Sequence, residues 1–299
     1  MDNQIKALYP YEGQFLDVDG GRMHFLDEGM SLDTDQPVML AVHGNPTWSF
    51  YWRRLVQEFG LFEENAVDFP DYRVVVPDHI GCGLSEKPQD WGYRLEQHID
   101  NLCALVEHLE LENIVLVVHD WGGAIGMGMA GRMPERIAKI VVTNTAAFRS
   151  QEIPLSIASC RIPIFGSIAV RGFNAFAGVA TWRASAKGLS DDVKAGLVFP
   201  YNSWENRIAT LKFVEDIPLK PTHPSYDALV AVEEGLNRLK DKPMLICWGE
   251  KDFCFTPNFR KEWEQRFPDA DVHAWDDVGH YVIEDVPERL IQTMQEWLG

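Results

Sequence analysis

No run in this chain approaches the ~20 consecutive apolar residues that a membrane-spanning helix needs. Its start, Met1 to Lys6, is polar and carries no apolar signal core. Cysteines are few: Cys82, Cys103, Cys160, Cys247 and Cys254, with no pair at metal-ligand spacing. Odd in number and scattered, they read as reduced thiols of a cytoplasmic protein rather than a disulfide framework. Positive charge is scarce, 27 Lys and Arg against 45 Asp and Glu, for a net charge of -18. Such a surface repels phosphate backbones and anionic lipid, which argues against nucleic acid and membrane surfaces as partners. Internal repeats and low-complexity segments are absent. Gly81 and Gly83 are not followed by the helix and Lys-Ser/Thr of a phosphate loop.

What the chain has is apolar mass, 46% of 299 residues with 11% aromatic, ample for a large core. Its centre is the stretch Ile114-Val115-Leu116-Val117-Val118-His119-Asp120-Trp121-Gly122-Gly123. Five apolar residues, four of them β-branched, read as a buried strand. Trp121 and two glycines then open a helical run through Ala130. A strand turning sharply into a helix with a reactive side chain at the corner is a nucleophile elbow, usually G-x-S-x-G. Here the corner is Asp120 in V-H-D-W-G, with Val118 replacing the first glycine. A carboxylate that simply caps the next helix is the competing reading.

The flanking chain favours the elbow. Residues 14–18 and 22–26 around Asp19-Gly20-Gly21 carry a hairpin signal. Buried strands follow at Pro37–Val42, 73–77, Lys139–Asn144, Pro243–Trp248 and Asp271–Trp275, with helical periodicity at Trp48–Phe59, 94–111 and Pro287–Leu298. Such alternation predicts an α/β fold: a mostly parallel sheet covered by helices on both faces. Reactive groups gather at the carboxyl ends of such strands, and Asn45, Asp78, Asp120 and Asn144 all lie near one. From 147 to 228 the alternation stops, and Phe148, Phe165, Phe173, Phe176, Trp182, Phe199, Tyr201, Trp204 and Phe213 crowd together. Too long and too apolar for a loop, this segment reads as a helical cap over the rim. The core is then 1–146 plus 229–299.

Asp120, Asp252 and His280 each follow a strand, in the nucleophile–acid–histidine order of α/β-hydrolases. A carboxylate nucleophile suits attack on an sp³ carbon, leaving an alkyl ester on Asp120. His280, oriented by Asp252, then activates water against that ester. Backbone N–H groups of Asn45 and Trp121 stand where the fold places an oxyanion hole. Their side chains offer an amide and an indole N–H, neutral donors suited to a departing monoanion. Core packing for Trp121 and a turn for Asn45 are the bland alternatives.

V-H-D-W-G together with H-G-N-P-T-W-S-F-Y-W-R resembles the haloalkane dehalogenase family, Asp-nucleophile α/β-hydrolases with an inserted helical cap. The resemblance implies Asp120 as nucleophile, His280 as base, Asp252 as acid, and Asn45 with Trp121 as the halide-binding pair. Some members carry the acid after the strand that here ends at Asn144; Thr145-Ala146-Ala147-Phe148 holds no carboxylate, so Asp252 keeps the role. Arg171–Phe176, Asn206–Ile208, Asp216–Leu219 and Asp252–Phe255 resemble the branch holding the β-lactone decarboxylases of bacterial olefin biosynthesis.

The first expectation is therefore hydrolysis of an apolar haloalkane to alcohol and halide. The alternative is decarboxylation of a cis-β-lactone to a cis-alkene and CO2 by the same side chains. An epoxide hydrolase would need two cap tyrosines, for which only Tyr201 and Tyr226 qualify, and a non-catalytic binder on this fold stands last. No cofactor or metal is required. Expected partners are a small apolar substrate and a halide ion, with self-association or association with olefin-pathway enzymes left open. His43, His79 and His119 read as hydrogen-bonded supports, and Ser85 lacks an elbow.

Overall fold

The computed structural model describes residues 3–29, 36–60 and 72–299. Met1 and Asp2, the head of the polar start, lie outside the described residues. Eight strands form one sheet: β1 (Gln14–Val18), β2 (Gly21–Glu28), β3 (Val38–Val42), β4 (Arg73–Pro77), β5 (Ile114–Asp120), β6 (Ile137–Thr145), β7 (Met244–Gly249) and β8 (Asp271–Trp275). Their order is β1-β2-β4-β3-β5-β6-β7-β8. The hairpin β1–β2 joins antiparallel at one edge, and every pairing from β4 onward is parallel. This is an α/β-hydrolase fold.

The period-2 geometry of a strand explains why the runs look continuously apolar. Ile114, Leu116 and Val118 face one side, with Leu40, Val42, Ile140 and Ile246 of neighbouring strands. Val115 and Val117 face the other, with Met39, Ala41, Val141 and Leu245. Both sides are covered, so no strand position is free to be polar until the strand ends. On the first side Leu95–His108 contributes Ile99, Leu102, Leu105 and Val106, spaced as one helical stripe. On the second, Pro287–Leu298 contributes Leu290, Ile291, Met294 and Leu298.

Several boundaries differ from expectation for a physical reason. β5 runs through His119 to Asp120, because a register shift against β6 lets the strand keep pairing up to the corner. Trp48–Phe59 opens as a tighter 3-10 turn, Ser49–Trp52, before the α-helix Arg53–Phe59. Between β6 and β7 the chain is helical, from Leu155–Cys160 to Leu236–Leu239. The expected edge at 228 falls inside the helix Tyr226–Gly235, which packs on Trp121–Arg132. We propose 147–225 as the cap, so that this helix stays with the core.

Candidate active site

Asp120 sits at the carboxyl end of β5 with φ 52° and ψ -127°, immediately before the helix Trp121–Arg132. A non-glycine residue at positive φ is strained and persists only where its surroundings over-determine it. Here they do. Asn45 N donates to Asp120 Oδ1 at 2.6 Å, and the Thr145 hydroxyl holds the Asp120 carbonyl. Close packing completes the corner: a Cβ on Gly44 would overlap the Asp120 carboxylate, and one on Gly122 would overlap the Val42 carbonyl.

Strand alternation sends His119 the other way, as expected. Its ring stacks on Tyr51 with centroids 4.6 Å apart, and Nε2 lies 2.9 Å from the His280 carbonyl. It props the histidine loop from behind. His280 Nδ1 stands 2.8 Å from Asp252 Oδ2, and His280 Nε2 stands 3.7 Å from Asp120 Oδ2. The structure thus brings Asp120, His280 and Asp252 into one line from β5, the loop after β8 and the loop after β7.

Burial raises the Asp120 pKa above the usual carboxylate value, against the opposing pull of His280 and the N–H groups of Asn45 and Trp121. For His280, burial pushes downward, but Asp252 and Asp120 together carry its pKa above the ordinary imidazole value. The His280 ring thus lies between two carboxylates, Asp252 on its Nδ1 side and Asp120 on its Nε2 side. Both backbone N–H groups expected at an oxyanion site do point at the Asp120 carboxylate.

Asp120 lines a cavity of about 130 Å³. Asn45 and Trp121 line it beside Asp120, with Ala124, Phe148, Phe176 and Val214 among the apolar walls. Among the described residues, no Lys, Arg or His lines it. Asn45 Nδ2 gives one hydrogen to the Thr210 carbonyl at 3.1 Å, leaving the other amide hydrogen uncommitted. Trp121 packs against Phe213, with ring centroids 5.2 Å apart. Glu152, at the rim of the cavity, ties down Thr256 and Asn258.

Residues 37–161 match the family described as the α/β hydrolase fold. The chain is 42% identical to a cis-3-alkyl-4-alkyloxetan-2-one decarboxylase of Shewanella oneidensis, over 98% of this chain and 90% of that protein. This protein belongs to the haloalkane dehalogenase family of α/β-hydrolases, in the branch that also holds the β-lactone decarboxylases. Within that family, it is 29% identical to haloalkane dehalogenase 2 of Mycobacterium bovis, over 98% and 96% of the two chains. The crystal structure of haloalkane dehalogenase DbeA from Bradyrhizobium elkani superposes with a TM-score of 0.84 at 26% identity, covering 96% and 97%.

Not every rim residue of this α/β-hydrolase reaches the cavity. Asp78 is buried and accepts from Ser49 N at 2.6 Å, Leu84 N at 2.9 Å and His24 Nδ1 at 2.8 Å. It ties the 43–49 loop to β2 and β4 and does not line the cavity. His43 and His79 bond each other's backbone in the same layer, and Ser85 is bonded to the Asp78 carbonyl. The cap aromatics divide as well: Phe148 and Phe176 line the cavity, whereas Phe165, Phe173, Trp182 and Trp204 are exposed. Burial cannot be read from aromatic content alone, because an apolar count does not say which side of a helix faces inward.

One supporting residue went unassigned in the sequence beyond its place on the rim. Asn144 Nδ2 donates to Asp252 Oδ2 at 2.9 Å and to the Gly249 carbonyl at 3.0 Å, while its Oδ1 accepts from Gly249 N at 2.7 Å. Its only signal in the sequence is a polar side chain at the end of a buried strand. Among the described residues, no helix is long and apolar enough to cross a membrane.

Proposed function

We propose that this enzyme converts a cis-3,4-dialkyl β-lactone into a cis-alkene and CO2. The likeness at 42% to a protein named for that reaction, against 29% to a dehalogenase, carries the choice. Haloalkane hydrolysis, the first expectation from sequence, becomes the second reading. Its support is the likeness in three dimensions to a dehalogenase.

The side chains supply a balanced route. Asp120 attacks the sp³ ring carbon that bears the ring oxygen, not the carbonyl carbon, and the bond from that carbon to oxygen breaks with its electrons going to the carboxylate oxygen. That oxygen leaves as an anion beside the amide of Asn45 and the indole of Trp121, the neutral donors that line the cavity. The freed carboxylate then departs as CO2. Its bonding pair forms the double bond, and the ester bond to Asp120 breaks, returning the carboxylate. Inversion in the first step and anti departure in the second give the cis-alkene from the cis-lactone. His280 beside Asp120 favours the returning negative charge. No water is consumed.

In the second reading Asp120 displaces halide and His280 activates water against the ester, which needs neutral His280. The epoxide reading loses its acids: Tyr201 donates to the Thr47 carbonyl, Tyr226 lies against Arg149, and neither lines the cavity. Incubating the enzyme with a cis-3,4-dialkyl β-lactone and measuring alkene and CO2 tests the proposal. Equimolar alkene and CO2 are expected, and a 3-hydroxy acid as sole product would overturn it.

A further inference from the structure

From Ile153 to Ser190 this strongly acidic chain has no Asp or Glu, yet it carries Arg161, Arg171, Arg183 and Lys187. The same segment holds eight of the ten large apolar side chains that stand exposed among the described residues. Leu155 is 88% exposed, Phe173 80%, Trp182 76% and Ile164 75%. These are not scattered surface residues. Phe165 and Ile168 sit on the outer side of the run Phe165–Gly172, whose Val170 is buried. Val179, Trp182 and Arg183 sit on the outer side of the helix Ala177–Arg183, whose Ala177 and Thr181 are buried.

The inward residues of the same segment, Ile153, Pro154, Ile157 and Phe176, line the cavity above Asp120. One thin layer therefore has the reaction chamber on its inner side and exposed apolar and cationic groups on its outer side. Arg171 and Arg183 form no ion pair with a carboxylate among the described residues, whereas Arg161 buries its Nη1 and does not belong to this outer face. Arg171 instead lies over the Trp204 ring and Arg183 over the Phe253 ring. Aromatic and aliphatic side chains interleaved with unpaired cations match the headgroup–acyl boundary of an anionic bilayer.

We propose that this outer face of the cap docks on an anionic lipid surface and passes apolar molecules between the bilayer and the cavity. Charge decides against a second copy as the occupant. A two-fold interface would place the cationic segment on itself, with no carboxylate in either copy's segment to neutralise it. The net charge of -18, which argues against lipid for the chain as a whole, resides elsewhere on the surface. It is screened beyond about 8 Å at physiological salt, so the local face governs contact. Docking does not depend on which reaction the cavity performs.

The test is flotation of the full chain with vesicles of phosphatidylglycerol and phosphatidylcholine, compared with phosphatidylcholine alone. The protein should float with the anionic vesicles at least tenfold more than with the neutral ones, and about 0.5 M salt should release it. The double variants Phe165→Ser/Trp182→Ser and Arg171→Gln/Arg183→Gln should each lose that binding. Both should keep kcat/KM on a short-chain, water-soluble substrate, which shows they are folded. Absence of flotation by the unaltered protein overturns the proposal, as does flotation that both variants retain. Loss of an oligomer in the Phe165→Ser/Trp182→Ser variant, with vesicle binding absent throughout, would assign the face to a second copy instead.

Discussion

Asn144 and Asp252 share a hydrogen bond of 2.9 Å, and it ends on the carboxylate oxygen that also holds His280 at 2.8 Å. The oxygen that orients the histidine is therefore fixed from a neighbouring strand. Asp252 Oδ1 is held separately by Cys254 N at 2.6 Å. Neither oxygen is free to swing, so the Nδ1 side of His280 has one orientation and Nε2 is left facing Asp120.

Replacing Asn144 with Ala removes this support and strands the Gly249 N–H, whereas the Gly249 carbonyl keeps Asp252 N at 3.3 Å. One buried unpaired group costs about 1–3 kcal/mol. Denaturant unfolding of Asn144→Ala should show a loss of about 2 kcal/mol. Haloalkane hydrolysis should fall through kcat, with KM little changed. A KM effect alone would mean Asn144 shapes the cavity rather than positions the acid.

The two reactions separate at His280. With a haloalkane, His280→Ala should release one equivalent of halide and stop, with the alkyl group trapped on Asp120 and visible by intact mass. With a β-lactone the same variant should keep turning over, slowed about tenfold to a hundredfold by loss of the imidazole beside Asp120. A stalled lactone adduct would show that the second step needs a base.

Burial of Asp120 has a stability consequence with a definite sign. Its folded pKa lies above the unfolded one, so its contribution to stability is full below the ordinary carboxylate value and is lost as pH rises through the folded value. Asp120→Asn keeps the acceptor for Asn45 N without the buried charge. At pH 7 the inactive variant should melt higher than the unaltered protein, and the gap should close as pH falls through the raised Asp120 value. A lower Tm at neutral pH would contradict the assigned cost of that charge.

His280 has the matching kinetic sign. Its pKa is raised, and hydrolysis needs the neutral ring, so haloalkane turnover should rise with pH through a point above the ordinary imidazole value near 6.5. Lactone turnover should show no such rise there. A shared acid limb in both pH–rate profiles would argue for a common base step.

Much of this was legible in the sequence because each signal had a local cause. β4 and β8 have the expected ends, and β5 stands out because both faces of that strand are buried. Asp252 and His280 could be paired with Asp120 through chain order, since each follows a strand of the sheet. Other relationships depend on distant chain segments meeting. The bond from Asn45 to the Thr210 carbonyl links residues 165 positions apart. The support of Asp252 by Asn144 depends on β6 lying next to β7. Asp78 was placed with the reactive rim because it follows a strand, but the backbone of Ser49 and Leu84 claims its oxygens. The outward cap aromatics and the acid-free segment were masked by whole-chain averages.

The proposed substrate preference of the Asp120 cavity is for a β-lactone over a haloalkane. Measuring kcat/KM for a cis-3,4-dialkyl β-lactone by alkene release, and for a 1-bromoalkane of matched chain length by halide release, tests it most directly. Asp120→Asn serves as the control. The lactone value should stand at least a hundredfold above the bromide value, with both lost in the variant. A bromide value equal to or above the lactone value would contradict it and make this enzyme a hydrolytic dehalogenase.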